Sequence, residues 1–245
     1  MLGGLCIKRW AETVVGTGRF YGIQSRGLNA GESVSASIET IAVEDIHLIR
    51  SLQSHGPYRL WGYSFGARVA YETAWQLEQI GETVSELVLL APGSPQLPYV
   101  EPVSCDQIAL FTSPAFLTIL LSVFVHDIDT VLTADCLARV HSRADFVSFA
   151  SAHFPAMDTA LVEAIINVVS ITYSPNYQIV LMDKPLRCPI SVWRAAGDGS
   201  AFIDDGAVTG LQLRNHDLMV DHYAVLKPQG IAALQATGLM RSNKE

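Results

Sequence analysis

The stretch Tyr58–Gly81, YRLWGYSFGARVAYETAWQLEQIG, changes character at its middle. Its opening residues read as a buried strand centred on Arg59–Trp61, and Ala67–Gln79 carries the periodicity of a helix. Between them stands Gly62-Tyr63-Ser64-Phe65-Gly66. A strand, Gly-x-Ser-x-Gly and a helix, in that order, are the setting of a nucleophile elbow. There a strained turn aims a serine hydroxyl off the sheet's carboxyl edge. Gly62 and Gly66 are expected to spare the turn collisions with the neighbouring strand and helix. The backbone N–H of Phe65, at the helix N-terminus, is expected to face a developing oxyanion. The competing reading of Ser64 is a tight turn that happens to contain a serine.

Working outward, short apolar strand candidates alternate with helical stretches. Arg19–Gln24 (RFYGIQ) reads as a strand and SRGLNAGESVSAS as a polar loop. Ser37–Leu52 has apolar residues at roughly helical spacing, with Ser37 as cap. Ser85–Ala91 (SELVLLA) is a continuous apolar strand that PGSP terminates. Pro189–Ala195 and Leu211–Asn215 are later strands, and Gly230–Leu239 suits a closing helix. The alternation predicts an α/β fold with a mostly parallel central sheet and helices on both faces. Cys105–Thr172 breaks the rhythm, since it reads as helical throughout. An inserted helical lid in a single domain spanning 1–245 is expected there.

Composition narrows the function. The chain has 245 residues, 49% of them hydrophobic, and a formal net charge of −8. Without a lysine- or arginine-rich tract, nucleic acid is not expected as a ligand. The cysteines Cys6, Cys105, Cys136 and Cys188 form no CxxC pair and the histidines show no metal-ligand spacing. No bound cofactor or metal is expected, and a reduced cytoplasmic setting is. Met1-Leu2-Gly3-Gly4 is not expected to open a signal peptide. Gln107–Val125 holds 19 residues without a charge. Its hydroxyl residues and Pro114 favour an apolar cover over a hydrophobic site rather than a membrane span, which needs ~20 mainly apolar residues.

A serine nucleophile needs a base and an acid, which follow an elbow in the order Ser, acid, His. Two histidines follow the late strands. His222, in VDHYAVLKPQG, sits in a loop leading into a short helix and is the expected base. His216, at the end of an apolar strand candidate, reads as a structural histidine. The strand after the elbow ends at Ala91, which has no carboxylate. The next one, in PISVWRAAGDGS, delivers Asp198 between glycines, where a carboxylate can orient His222. Asp204 and Asp205 are rival acids, and Asp198 also suits a turn for its own sake.

GRFYGIQSRGLNAGE (18–32), ASIETIAVEDIHLIRSLQSHGPYRLWGYSFGARVAYETAWQLEQIGE (36–82) and DHYAVLKP (221–228) resemble the thioesterase domains of nonribosomal peptide and polyketide synthases. The similarity is dense from Phe20 to Leu90 and returns from Pro189 to Pro228; the lid region carries none. The resemblance implies an α/β-hydrolase fold with a helical lid. It also implies an acyl or peptidyl chain carried as a thioester on the phosphopantetheine arm of an acyl or peptidyl carrier protein. Ser64 matches the family nucleophile and His222 its base. Three departures stand out. Many members that terminate synthases carry Asp where this chain has Ala91. Stand-alone editing members place the acid nearer Ser200 than Asp198. Only Leu2-Gly3-Gly4 remains of a glycine-rich loop near the family's first strand, which makes the N–H near Leu2 the expected second oxyanion donor. The sequence is expected to be a piece of a longer synthase. A free-standing esterase or lipase, and a catalytically impaired acyl-binding module, are the competing functions.

Overall fold

The structure is a computed structural model that describes residues 20–95, 110–125, 129–173, 177, 184–204 and 212–239. These fall into two compact units, one of residues 35–96 and 178–239 and one of residues 1–34, 97–177 and 240–245.

The first unit is a parallel sheet with flanking helices. Helix α1 (Ile38–Leu52) begins at Ser37, whose hydroxyl accepts the N–H of Thr40, as the sequence predicted. Strand β1 (Tyr58–Tyr63) leads through Ser64 into α2 (Phe65–Gln79), and β2 (Val84–Leu90) and the short β3 (Gly93–Pro95) follow. After the helical unit come β4 (Ile190–Ala196), β5 (Asp198–Ala201), β6 (Leu213–Asp221), a 3-10 turn (His222–Ala224) and a closing helix (Pro228–Ala236). The main sheet has the order β1-β2-β4-β6, with every described pairing parallel. Continuous apolar runs such as Leu87–Leu90 fit this arrangement, because a parallel sheet is covered on both faces. Tyr71 and Leu77 of α2 are fully buried in one core with Leu87, Leu89, Ile190 and Val192. Each such side chain stabilises the fold by ~1.5–3 kcal/mol.

Glu78, at the carboxyl end of α2, is a buried polar anchor of this unit. Its buried carboxylate accepts the N–H groups of Arg187 and Cys188, both at 2.9 Å, and so fixes the entry to β4.

The second unit contains the described part of the expected lid. It consists of α3 (Pro114–Ser122), α4 (Thr130–Arg139), α5 (Arg143–His153) and α6 (Thr159–Thr172). Ser113, Asp129, Ser142 and Asp158 each cap the following helix with a side-chain oxygen. Phe116, Leu120, Phe146 and Ile166 centre a core of its own. The uncharged stretch ending at Val125 is therefore broken by Ser113 and supplies a nine-residue helix. Among the described residues, no helix is long and apolar enough to cross a membrane.

Two sequence expectations need correction. Residues 20–24 of the first strand candidate form no strand, and Tyr21 and Ile23 are exposed. PGSP does more than end β2, since it supplies β3, which pairs antiparallel with β5.

Candidate active site

Because the main sheet is parallel, its strands end at one edge, where the candidate residues collect. Tyr63 pairs with Leu90, Leu90 with Trp193, and Ala196 with Asp221. Ser64 is thus the first residue past β1 and His222 the first past β6. Asp198 lies two residues past the end of β4. The register alone brings three distant parts of the sequence together.

Ser64 has φ 53° and ψ −121°, an angle pair that a non-glycine residue adopts only where its surroundings enforce it. Its N–H donates to Leu90 O at 2.9 Å, and its carbonyl accepts the N–H of Ala67 at 3.0 Å, so strand and helix hold the turn from both sides. A Cβ on Gly62 would stand 2.3 Å from Gly66 O and 2.6 Å from Ala67 Cα, which explains the first glycine as expected. The same argument fails for Gly66, where an added Cβ meets nothing within 4 Å. Phe65 is the first residue of α2, at the end whose N–H groups carry the partial positive charge.

Ser64 Oγ lies 2.8 Å from His222 Nε2, and His222 Nδ1 lies 2.9 Å from Asp198 Oδ2. The His222 and Asp198 side chains are only 5% and 4% exposed, so water does not compete for their hydrogen bond. A carboxylate only accepts, so Nδ1 carries the proton and Nε2 offers its lone pair to the serine hydroxyl. This Ser–His–Asp chain follows the expected order.

Several contacts that sequence reasoning missed hold the chain of three in place. Tyr63 Oη donates to the His222 carbonyl at 2.7 Å, and the two rings lie 5.6 Å apart. Asp221 Oδ1 accepts the N–H groups of Tyr223 and Ala224, which caps the 3-10 turn that begins at His222. A polar cap residue immediately before the histidine was the available signal. The β3–β5 pair holds Asp198 from the other side. Gly197, with φ +79°, starts the turn into β5 in a conformation that a side chain would strain. Gly93 allows close approach, since a Cβ there would stand 2.5 Å from Gly199 O and 3.2 Å from Asp198 Cβ.

The rival residues lie elsewhere. His216 stacks on Trp193 at 4.1 Å within β6. Asp204 is bound to Arg194, which holds its carboxyl below the usual range. Asp205 and Leu2 lie outside the described residues. Ala91 is fully buried with φ 44°, and its N–H donates to Trp193 O at 2.7 Å. Among the described residues, no group of His, Cys, Asp and Glu is arranged to hold a metal ion.

Comparison with known proteins adds an independent line. Residues 3–102 match the family model for the thioesterase domain. Indigoidine synthase of Dickeya dadantii (strain 3937) is 43% identical over 237 residues, covering 95% of this chain and 16% of that protein. Indigoidine synthase of Streptomyces lavendulae is 41% identical over 216 residues, covering 87% of this chain and 17% of that protein. The chain thus spans 16–17% of the length of these two curated relatives. Among solved structures, the Vlm2 thioesterase domain aligns with a TM-score of 0.68 at 17% identity, over 98% of this chain and 89% of its own. A four-domain nonribosomal peptide synthetase bound to AMP and glycine aligns with a TM-score of 0.59 at 23% identity, over 89% and 17%. At these identities the structural likeness speaks for the fold, an α/β-hydrolase fold, while motif and relatives speak for the family. Together they place the thioesterase-domain family on residues 3–102 and make the chain as a whole similar to the thioesterase domains of nonribosomal peptide synthetases.

Proposed function

We propose that this domain releases an acyl or peptidyl chain from the phosphopantetheine arm of a carrier protein, through an ester formed on Ser64. The observation that carries this reading is the unbroken chain of hydrogen bonds from Ser64 Oγ through His222 to Asp198, set on an elbow. As Ser64 Oγ attacks the thioester carbonyl, its proton passes to His222 Nε2, and Asp198 stabilises the imidazolium. The oxyanion accepts hydrogen bonds from the Phe65 N–H and, in this proposal, from the N–H near Leu2. Collapse breaks the C–S bond, and His222 returns the proton to the departing thiolate. Water, or a nucleophile within the chain, then attacks the ester with His222 again as base, which gives hydrolysis or cyclisation.

The wider setting belongs to the same reading. The relatives are multidomain synthases, which supports a carrier domain as partner. The helical unit enters the chain between β3 and β4, and we read it as the lid insertion of a single domain. The scattered cysteines support a cytoplasmic setting.

The test is intact mass spectrometry after incubation with acyl-pantetheine thioesters of graded chain length. The expected result is a single acyl adduct that maps to Ser64 and is absent from Ser64→Ala. Turnover of simple esters with no adduct from any pantetheine thioester would point to an esterase instead. Failure of Ser64 to react even with a fluorophosphonate would end the enzymatic reading.

A further inference from the structure

The loop that carries Asp198 is closed on its own stem. Arg194 lies on β4, just before Asp198, and Asp204 follows β5, so the two flank the acid in sequence. Asp204 Oδ2 accepts from Arg194 Nη1 at 2.8 Å, and Oδ1 accepts from Nη2 at 2.5 Å, a two-pronged pair. Oδ2 also accepts the N–H of Ala201 at 2.7 Å, and the Asp204 N–H donates to Ala201 O at 2.9 Å. Arg194 Nη2 also reaches a second residue, Asn215, at Oδ1 and 3.2 Å, on the strand that ends just before His222. One guanidinium therefore ties the acid's loop to the base's strand.

Apolar contacts do not replace this tie. Phe202 is buried, lies edge-on to Tyr71 at 5.9 Å and takes the Arg68 guanidinium over its ring at 5.5 Å. Such packing sets how deep the loop sits, but it is non-directional and fixes rotation weakly. The rotation of β5 decides where the Asp198 carboxylate points, and that carboxylate must meet His222 Nδ1 within about 3.2 Å to form a bond.

From this geometry we infer that Asp204, with Arg194, is a positioning residue of the catalytic apparatus: it holds Asp198 in line with His222. The inference rests on the reading of Ser64, His222 and Asp198 given above. It assigns Asp204 a role other than that of an alternative acid.

A double-mutant cycle on the full chain tests it, with kcat and KM measured on the octanoyl thioester of N-acetylcysteamine and Ser64 labelling by a fluorophosphonate as second readout. Asp198→Asn should lower kcat by roughly 10²–10⁴-fold. Asp204→Asn should lower kcat and the labelling rate by roughly tenfold or more, with KM within about threefold. In the Asp198→Asn background, Asp204→Asn should lower kcat by less than about threefold further, since the group it positions is gone. An Asp204→Asn protein with unchanged kcat, or with the same loss in both backgrounds, overturns the inference while leaving Asp198 as the acid. If Asp204→Asn does not fold, Arg194→Lys, which keeps the charge and loses the two-pronged grip, is judged by the same criteria. If Asp198→Asn retains full kcat, the reading of Asp198 itself fails. A large loss in Asp204→Asn alone would then make Asp204 the acid and overturn both.

Discussion

Gly93→Ala is the sharpest probe of how Asp198 is held against His222. Gly93 has φ outside the left-handed region, so alanine faces no backbone penalty there and the effect comes from contact alone. The new Cβ would stand 2.5 Å from Gly199 O and 3.2 Å from Asp198 Cβ. Both lie on the strand that carries the carboxylate, and the closest atom is backbone. Restoring ordinary contact requires β5 to retreat by roughly 0.5–1 Å. The Asp198–His222 bond, now 2.9 Å, would stretch to about 3.4–3.9 Å, outside hydrogen-bond range. A misplacement of that size costs about 10²-fold in rate, or ~3 kcal/mol of barrier. Overpacking should also lower stability by ~1–3 kcal/mol. The assay pairs steady-state kinetics on an acyl thioester with a urea unfolding curve, so that kcat refers to folded protein. A folded Gly93→Ala protein with kcat within about threefold of the parent would refute the reasoning, because β5 would then tolerate displacement without loss of the relay.

Three other perturbations follow from the same geometry. Tyr63→Phe removes the donor to the His222 carbonyl and keeps the ring, so kcat should fall by roughly 3–10-fold with KM unchanged and stability should drop by ~0.5–1.5 kcal/mol; an unchanged kcat would make the contact incidental. Glu78→Ala strips the acceptor from the Arg187 and Cys188 N–H groups far from the site, so urea unfolding should show a loss of ~2–4 kcal/mol while kcat per folded molecule stays unchanged. Hydrogen bonds from Arg194 lower the Asp204 pKa, so the ion pair's stabilisation is present above the ordinary carboxylate range and fades as pH falls through the lowered value. The stability gap between parent and Asp204→Asn, measured by urea midpoints from about pH 7 downward, should therefore close on acidification, and a gap independent of pH would contradict the assignment; partial exposure of both side chains keeps this gap modest.

The parts of the site that depend on local chemistry were legible in the sequence. The change from strand to helix around Ser64, and Ser37 as a cap, follow from patterns within a few residues. Expecting His222 to meet a carboxylate after β4 required only that both follow late strands of a parallel sheet, and it left Asp198, Asp204 and Asp205 as candidates. The β3–β5 pair was hidden because PGSP and GDGS each look like turn sequence, and their partnership spans the whole helical unit. Gly66 misled for a related reason: the motif contains two glycines, but only Gly62 faces backbone at close range. Asp204 and Asp198 were indistinguishable by type, and Arg194 separates them only once β4 and the returning loop are side by side. The strand expected at Arg19–Gln24 drew on apolar content, but the apolar Tyr21 and Ile23 within it are exposed.

The placement of the relay has a consequence for how such a domain can diversify. Ser64, His222 and Asp198, together with Tyr63, Gly93, Arg194 and Asp204, all belong to the compact unit built from residues 35–96 and 178–239. The intervening helices keep a separate core around Phe116 and Phe146. The relay and the core of the helical unit therefore draw on different sets of side chains. The hydrogen bonds that join Ser64, His222, Asp198 and Tyr63 all lie within the unit of residues 35–96 and 178–239. The seams for a graft of helices from another such domain fall after Pro95 and before Lys184, which keeps the Arg187 and Cys188 N–H bonds to Glu78 that lead into β4.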